Sequence, residues 1–165
     1  MTYTIQDSSG DPETAAHTIG ALLQRSWDKT QTTNVLPAFL YDQTRAVNAP
    51  FSDLNDYVKI DIIGSGIDEA ESALDNSQGT FDETITITVN SVSPIRGKLI
   101  EKQIMTIFRD NYRKTIYKSD GSSDSGIKRF IPWPFPKFQN ANYANPKSYR
   151  TQVLITLKSL YTWSD

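Results

Sequence analysis

The side chains able to act as acid–base groups, nucleophiles or metal ligands are sparse in this sequence. The 165 residues contain one histidine, His17, and no cysteine. A multi-histidine metal site is therefore impossible, and disulfides, thiolate zinc sites and cysteine nucleophiles are excluded. The lack of cysteine also fits assembly in a reducing cytoplasm. Because His17 falls inside a stretch with helical apolar spacing, we interpret it as a surface or partly packed helix residue.

Two glycines after a predicted strand are in a position typical of phosphate-binding loops. Gly64 and Gly66 flank Ser65 there. The segment lacks the third glycine of the dinucleotide pattern and the Gly-Lys-Ser/Thr ending of the P-loop. The residues that follow are acidic and would repel phosphate. We therefore expect a flexible turn and no nucleotide site.

An acidic segment follows these glycines. Its four carboxylates are Asp68, Glu69, Glu71 and Asp75. A calcium loop places ligands at alternate positions around a glycine, and this spacing does not match it. We expect residues 64–79 to form a solvated acidic loop excursion that can reach a neighbouring protein or line a lumen. Asp82 and Glu83 could form a carboxylate pair, but adjacent strand residues point to opposite faces.

Basic and aromatic residues alternate with prolines late in the chain. Residues 118–148 are expected to form a loop and then an extended Pro/aromatic arm that cannot be a central strand. Lys128, Arg129, Trp133 and Phe135 are its candidate contacts with a neighbouring protein, because aromatics and arginine dominate interface energetics. Two alternatives remain: the rings cover the domain's own core, or the arm binds single-stranded nucleic acid.

Helices are predicted where a cap and a proline precede apolar residues at three- and four-residue spacing. The first runs over about residues 12–30, with Asp11 as its cap and Pro12 at its first position. The second begins after the capping residue Ser93 and ends near residue 115.

Alternating apolar residues predict four strands, the first of them at a sheet edge because it contains a proline. They cover residues 35–41, 57–63, 81–92 and 149–163. With the extended arm, the order is α-β-β-β-α-β-β. Residues 1–165 are thus expected to form a single α+β domain, a mostly antiparallel sheet of four to five strands with two main helices packed on one face.

Charge is unevenly distributed along the chain. Residues 1–92 carry 4 basic and 14 acidic side chains, whereas residues 93–165 carry 13 basic and 5 acidic ones. Either the two halves interleave and neutralise each other, or an acidic flank pairs head to tail with a basic flank of another copy and closes a ring. The polar, acidic N-terminus and the lack of a long apolar run predict neither a leader peptide nor membrane contact.

In their order and residue patterns, five segments resemble those of the tail terminator (tail-completion) proteins of long-tailed bacteriophages and related archaeal viruses. These segments are ETAAHTIGALLQRSW, YVKIDII, FDETITITV, SPIRGKLIEKQIMTIFRD and YRTQVLITLKSLYTW. The likeness covers most of the chain but rests on arrangement, since these families have no diagnostic motif.

The resemblance implies a structural virion protein of the tail or neck, assembled in the host cytoplasm, with no enzymatic activity and no cofactor. Such a protein forms a ring, usually a hexamer, that ends tail-tube polymerisation and docks the tail on the head connector. Its partners are then its own copies, the tail-tube protein and a neck protein, with DNA only in transit through the lumen. A head-to-tail connector or other tail subunit is the alternative, followed by a nucleic-acid-binding module or a small carboxylate enzyme.

Overall fold

The computed structural model describes residues 5–6, 12–32, 36–40, 56–68, 78–141 and 149–162. These residues form eight strands, two α-helices and one 3₁₀ turn. In chain order they are β1 (Ile5–Gln6), β2 (Pro12–Glu13), α1 (Ala15–Ser26), the 3₁₀ turn (Lys29–Thr32), β3 (Ala38–Leu40), β4 (Tyr57–Asp68), β5 (Gln78–Ser91), α2 (Pro94–Asn111), β6 (Ile127–Ile131), β7 (Gln139–Asn140) and β8 (Tyr149–Thr162).

The main sheet is mixed and has six strands. Its order is β3-β4-β5-β8-β6, and β7 also pairs with β8. Only the β3–β4 pair is parallel, and the other pairs are antiparallel. The predicted α+β class is confirmed, and so is the predicted edge position of the strand now labelled β3. The sheet is larger than the four to five strands expected because β6 and β7 both join β8.

The core lies between one face of this sheet and the two helices. On β5 the inward residues are Ile85, Ile87 and Val89, all fully buried. They form one cluster with Ile19 of α1 and Ile104 of α2. Side-chain alternation along β5 thus gives each helix an apolar surface, and burial of such surface is the main driving force for folding.

The first helix starts later and ends earlier than the sequence predicts. Pro12 belongs to β2, which pairs with β1, so its predicted place at the start of the helix is wrong. Thr14 is the cap: its backbone is extended, and its hydroxyl accepts a hydrogen bond from the His17 backbone N–H at 3.3 Å. At the other end Trp27 leaves the helical conformation, and a separate 3₁₀ turn follows.

The second helix begins as predicted, with Ser93 as its cap and Pro94 in its first turn. It ends at Asn111, about one turn before the expected position. The Asn111 side-chain amide donates to the Ile107 carbonyl at 2.8 Å and so satisfies one of the last free carbonyls of the helix.

The expected loop excursion over residues 64–79 is wrong at both ends. After a bulge near Ile62, Gly64–Asp68 continue β4 and pair with Thr80–Thr84 of β5. The ladder with a β-branched partner strand outweighs the low intrinsic strand propensity of glycine and serine. Residues 69–77, which join the two strands, lie outside the described part of the chain.

Among the described residues, no helix is long and apolar enough to cross a membrane.

Gly97 marks a close contact between α2 and the sheet. A Cβ atom at this position would overlap the ring of Tyr149 on β8. We expect Gly97→Ala to lower the free energy of unfolding by about 1–3 kcal/mol, because the ring or the helix must shift. Urea titration followed by circular dichroism measures this change.

Gly66→Ala is the matched control for this prediction. A Cβ atom at Gly66 meets nothing within 4 Å, so this variant should be at least as stable as the wild type. Equal stability of the two alanine variants would contradict close packing at Gly97.

Candidate interaction surface

The single histidine is used in a helix cap. Nδ1 of His17 lies 3.2 Å from the Thr14 hydroxyl and accepts from the Thr14 backbone N–H at 3.5 Å. Together with the bond from the His17 N–H, this is a reciprocal capping box with histidine in place of the usual Glu or Gln. His17 is half-buried, and its position accords with the packed-helix interpretation.

The glycine pair and the acidic segment form no ligand cradle in the described residues. Gly64 and Gly66 lie within β4, opposite Thr84 and Asp82, so the predicted turn is wrong. Within the described residues, the element that comes after them is the strand β5, not a helix that could supply backbone N–H groups to a phosphate. No group of three or more potential metal ligands occurs among the residues described.

The four acidic candidates lie at or beyond the last described residue of β4. Asp68 is the last residue of β4, and its side chain lies outside the described set, as do Glu69, Glu71 and Asp75 entirely. Their role as contacts with a neighbouring protein remains a prediction.

Asp82 and Glu83 point to opposite faces of the sheet, as predicted. Asp82 pairs with Lys158 at 3.7 Å on the face away from the helices. Glu83 lies on the helix side, where it accepts a hydrogen bond from the backbone N–H of Ala15 at the start of α1. Burial raises the pKa of Glu83 above its usual 4.5, and the hydrogen bond from Ala15 opposes that rise.

A buried carboxylate in α2 was not predicted from the sequence. Glu101 is only 4% exposed. It accepts hydrogen bonds from the hydroxyls of Tyr149 (2.9 Å) and Thr151 (2.6 Å) and pairs with Lys98 at 3.0 Å. The Tyr149 hydroxyl first, and then Glu101, raise the pKa of Lys98. Each carboxylate oxygen of Glu101 has a partner, and the two hydroxyl bonds join α2 to β8.

The aromatic candidates of the Pro/aromatic segment pack against the molecule's own core. Trp133 stacks on Tyr112 with ring centroids 3.8 Å apart and planes 5° from parallel. Phe135 contacts Phe108 of α2, with 4.7 Å between ring centroids. Both candidates are half-buried. This arrangement favours the alternative in which these rings cover the core.

The two basic candidates, Lys128 and Arg129, lie near the start of β6 and are exposed. Lys128 pairs with Asp124 at 2.8 Å, and Arg129 lies opposite Lys158 of β8. They line a groove of about 410 Å³ together with Arg113 and Lys114, which follow the end of α2, and no acidic residue lines it.

A second groove, of about 680 Å³, lies between the 3₁₀ turn and α2. Its basic lining residues are Lys102, Arg109 and Lys114, and its acidic ones are Asp28 and Asp110. Lys114 borders both grooves, which joins them into one exposed region. We call it the basic surface and define it by six residues: Lys102, Arg109, Arg113, Lys114, Lys128 and Arg129.

The grouping of these six cations on one surface was not predicted from the sequence. The cations of α2 were visible as the polar side of an amphipathic helix. Their meeting with Lys128 and Arg129 depends on β6 folding back along β8, beside the end of α2. Comparison with known proteins found no matching family model and no matching curated protein.

Glu83 should make stability depend on pH in an identifiable direction. A carboxyl group whose pKa is raised by folding binds more protons in the folded state. Its contribution to the free energy of unfolding therefore falls as pH rises above 4.5. We expect the stability of Glu83→Gln, measured relative to the wild type by urea unfolding, to increase between pH 4 and pH 7. A relative stability of Glu83→Gln that is flat or falls with pH would contradict burial of Glu83.

Substitution of Trp133 tests whether its ring covers the protein's own core or contacts another protein. We expect Trp133→Ala to lower the free energy of unfolding of dilute protein by about 1–3 kcal/mol, since it loses apolar burial and the stack on Tyr112. Trp133→Phe, which keeps a ring in place, should lose less. Unchanged stability of Trp133→Ala, with only self-association reduced, would instead assign the ring to a contact with another protein.

Proposed function

We propose that this chain is the subunit of a ring that ends a viral tail tube and joins the tail to the head or neck of the virion. The proposal rests on the resemblance to tail terminator proteins and on one observation in the structure: the basic surface gathers six cations around two grooves. The same chain carries four carboxylates within residues 68–75. Surfaces of opposite charge on one subunit favour a heterologous contact, and such contacts generate rings when the rotation closes.

The shape of the domain supports the same reading. The α+β order is the one on which the resemblance is based, and the main sheet has long strands on either side of β5. The grooves are wide and lined mainly by exposed lysine, arginine and other polar side chains. A ligand pocket for catalysis is usually a mostly apolar cleft with a few convergent polar groups, and these grooves fit a macromolecular partner better.

The alternative within the same class is a head-to-tail connector or another subunit of the tail or neck. A nucleic-acid-binding module is the next candidate, because the basic surface would also attract phosphates. In the proposed ring, DNA passes through the lumen without specific contacts.

Electron microscopy of negatively stained protein tests the proposal. The purified chain should form closed rings of uniform size, and rings added to growing tail tubes of the same virus should cap one end and stop elongation. Growth into long tubes would identify a tube subunit. A monodisperse monomer that ignores tube ends would overturn the proposal, and tight DNA binding that weakens steeply with salt would favour the nucleic-acid module.

A further inference from the structure

The cations of the basic surface are incompletely neutralised by the described residues. No carboxylate of the described part of the chain lies within ion-pair distance of Lys102, Arg113 or Lys114. Arg113 instead lies over the Tyr112 ring, 5.7 Å from its centroid. Arg109 pairs with the adjacent Asp110 at 3.0 Å, and its side chain is 68% exposed.

Helix stabilisation explains only part of this concentration of charge. Cations in the last turn of a helix interact favourably with its negative end, which accounts for Arg109 and its neighbours. Lys102 lies mid-helix, however, and Lys128 and Arg129 belong to β6. The helix dipole gives no reason for these three cations to share a surface with the end of α2.

A complementary set of charges is present on the same chain. Residues 68–75 contain four carboxylates and no lysine or arginine. They begin where the β4–β5 ladder reaches its last described pair, Asp68 with Thr80.

We infer that the basic surface of one copy binds residues 68–75 of the next copy. The inference rests on the proposed function, because it names the contact that closes the ring. The two partners are different patches of the chain, so the contact is heterologous and each subunit donates one segment and receives one. Opposite charges also accelerate encounter and disfavour incorrect registers between copies.

A charge exchange between two variants tests the inference. One variant, Glu69→Lys/Glu71→Lys/Asp75→Lys, changes the net charge of residues 68–75 from −4 to +2. The other changes the net charge of the six residues of the basic surface from +6 to −2 and combines Lys102→Glu, Arg109→Glu, Arg113→Glu and Lys114→Glu. The four substituted cations of the basic surface are exposed, so we expect that variant to fold, and the comparison requires the same of the other variant. Far-ultraviolet circular dichroism and urea unfolding check this first.

Each variant alone should need at least about a tenfold higher concentration for half-association than the wild type, measured by sedimentation velocity. An equimolar mixture should recover association. In the mixture, every intact surface can meet an intact segment and every reversed surface a reversed segment when the two variants alternate along the assembly, so association recovers whether or not the ring closes.

Lys114→Glu and Lys137→Glu form the matched control. Both remove one exposed cation, but Lys137 lies in the Pro/aromatic segment and lines neither groove. Lys114→Glu should weaken association and Lys137→Glu should not. Equal effects of the two changes would mean that net charge, not the basic surface, controls association.

The outcomes separate this inference from the proposed function. If the wild type forms rings and both reversed variants form them equally well, or if the mixture does not recover, the inference is overturned and the ring stands. If the wild type remains a monomer, both are overturned. If the variant with the reversed basic surface loses binding to a fluorescent single-stranded DNA while its self-association is unchanged, the basic surface is a nucleic-acid site and the inference is overturned.

Discussion

The packing of two helices on one face of β5 and β8 is the interaction on which the rest of the structure depends. Each strand contributes an unbroken inward row, with Ile85 and Ile87 on β5 opposite Ile155 and Val153 on β8. All four are at most 3% exposed. Because side chains alternate along a strand, a register shift of one residue would replace this row with threonines and lose most of the apolar contact with the helices.

Polar contacts fix how the helices lie on this apolar face. At the start of α1, Glu83 of β5 accepts from the Ala15 N–H, and along α2 the buried Glu101 accepts from two hydroxyls of β8. Arg96 pairs with Asp56 just before β4. These bonds join elements that are far apart in sequence, and a buried carboxylate without its partners would be costly. They therefore select one placement of the helices among those that hydrophobic burial alone would allow.

The position of α2 in turn creates the basic surface. Once the helix lies across β5 and β8, its last turn comes beside β6, and cations from separate parts of the chain line adjoining grooves. Two ion pairs within the chain, Arg96–Asp56 and Lys158–Asp82, also neutralise charge between its basic and acidic halves. These pairs bear out part of the interleaved interpretation of the charge pattern, and the head-to-tail interpretation remains a prediction.

The sequence by itself determined the fold class, the two helices and the central strands, because these depend on local periodicity and capping. The alternation in residues 81–89 and the Ser93–Pro94 start of α2 are local signals that tertiary contacts reinforced. Only the tertiary structure decided that Thr14 caps α1 in place of Asp11, that Gly64–Asp68 remain in a strand, and that Trp133 stacks on Tyr112. Each of these depends on a partner distant in sequence or on competition between neighbouring caps. The same holds for the basic surface, since proximity between α2 and β6 follows from strand pairing along β8, which no local pattern encodes.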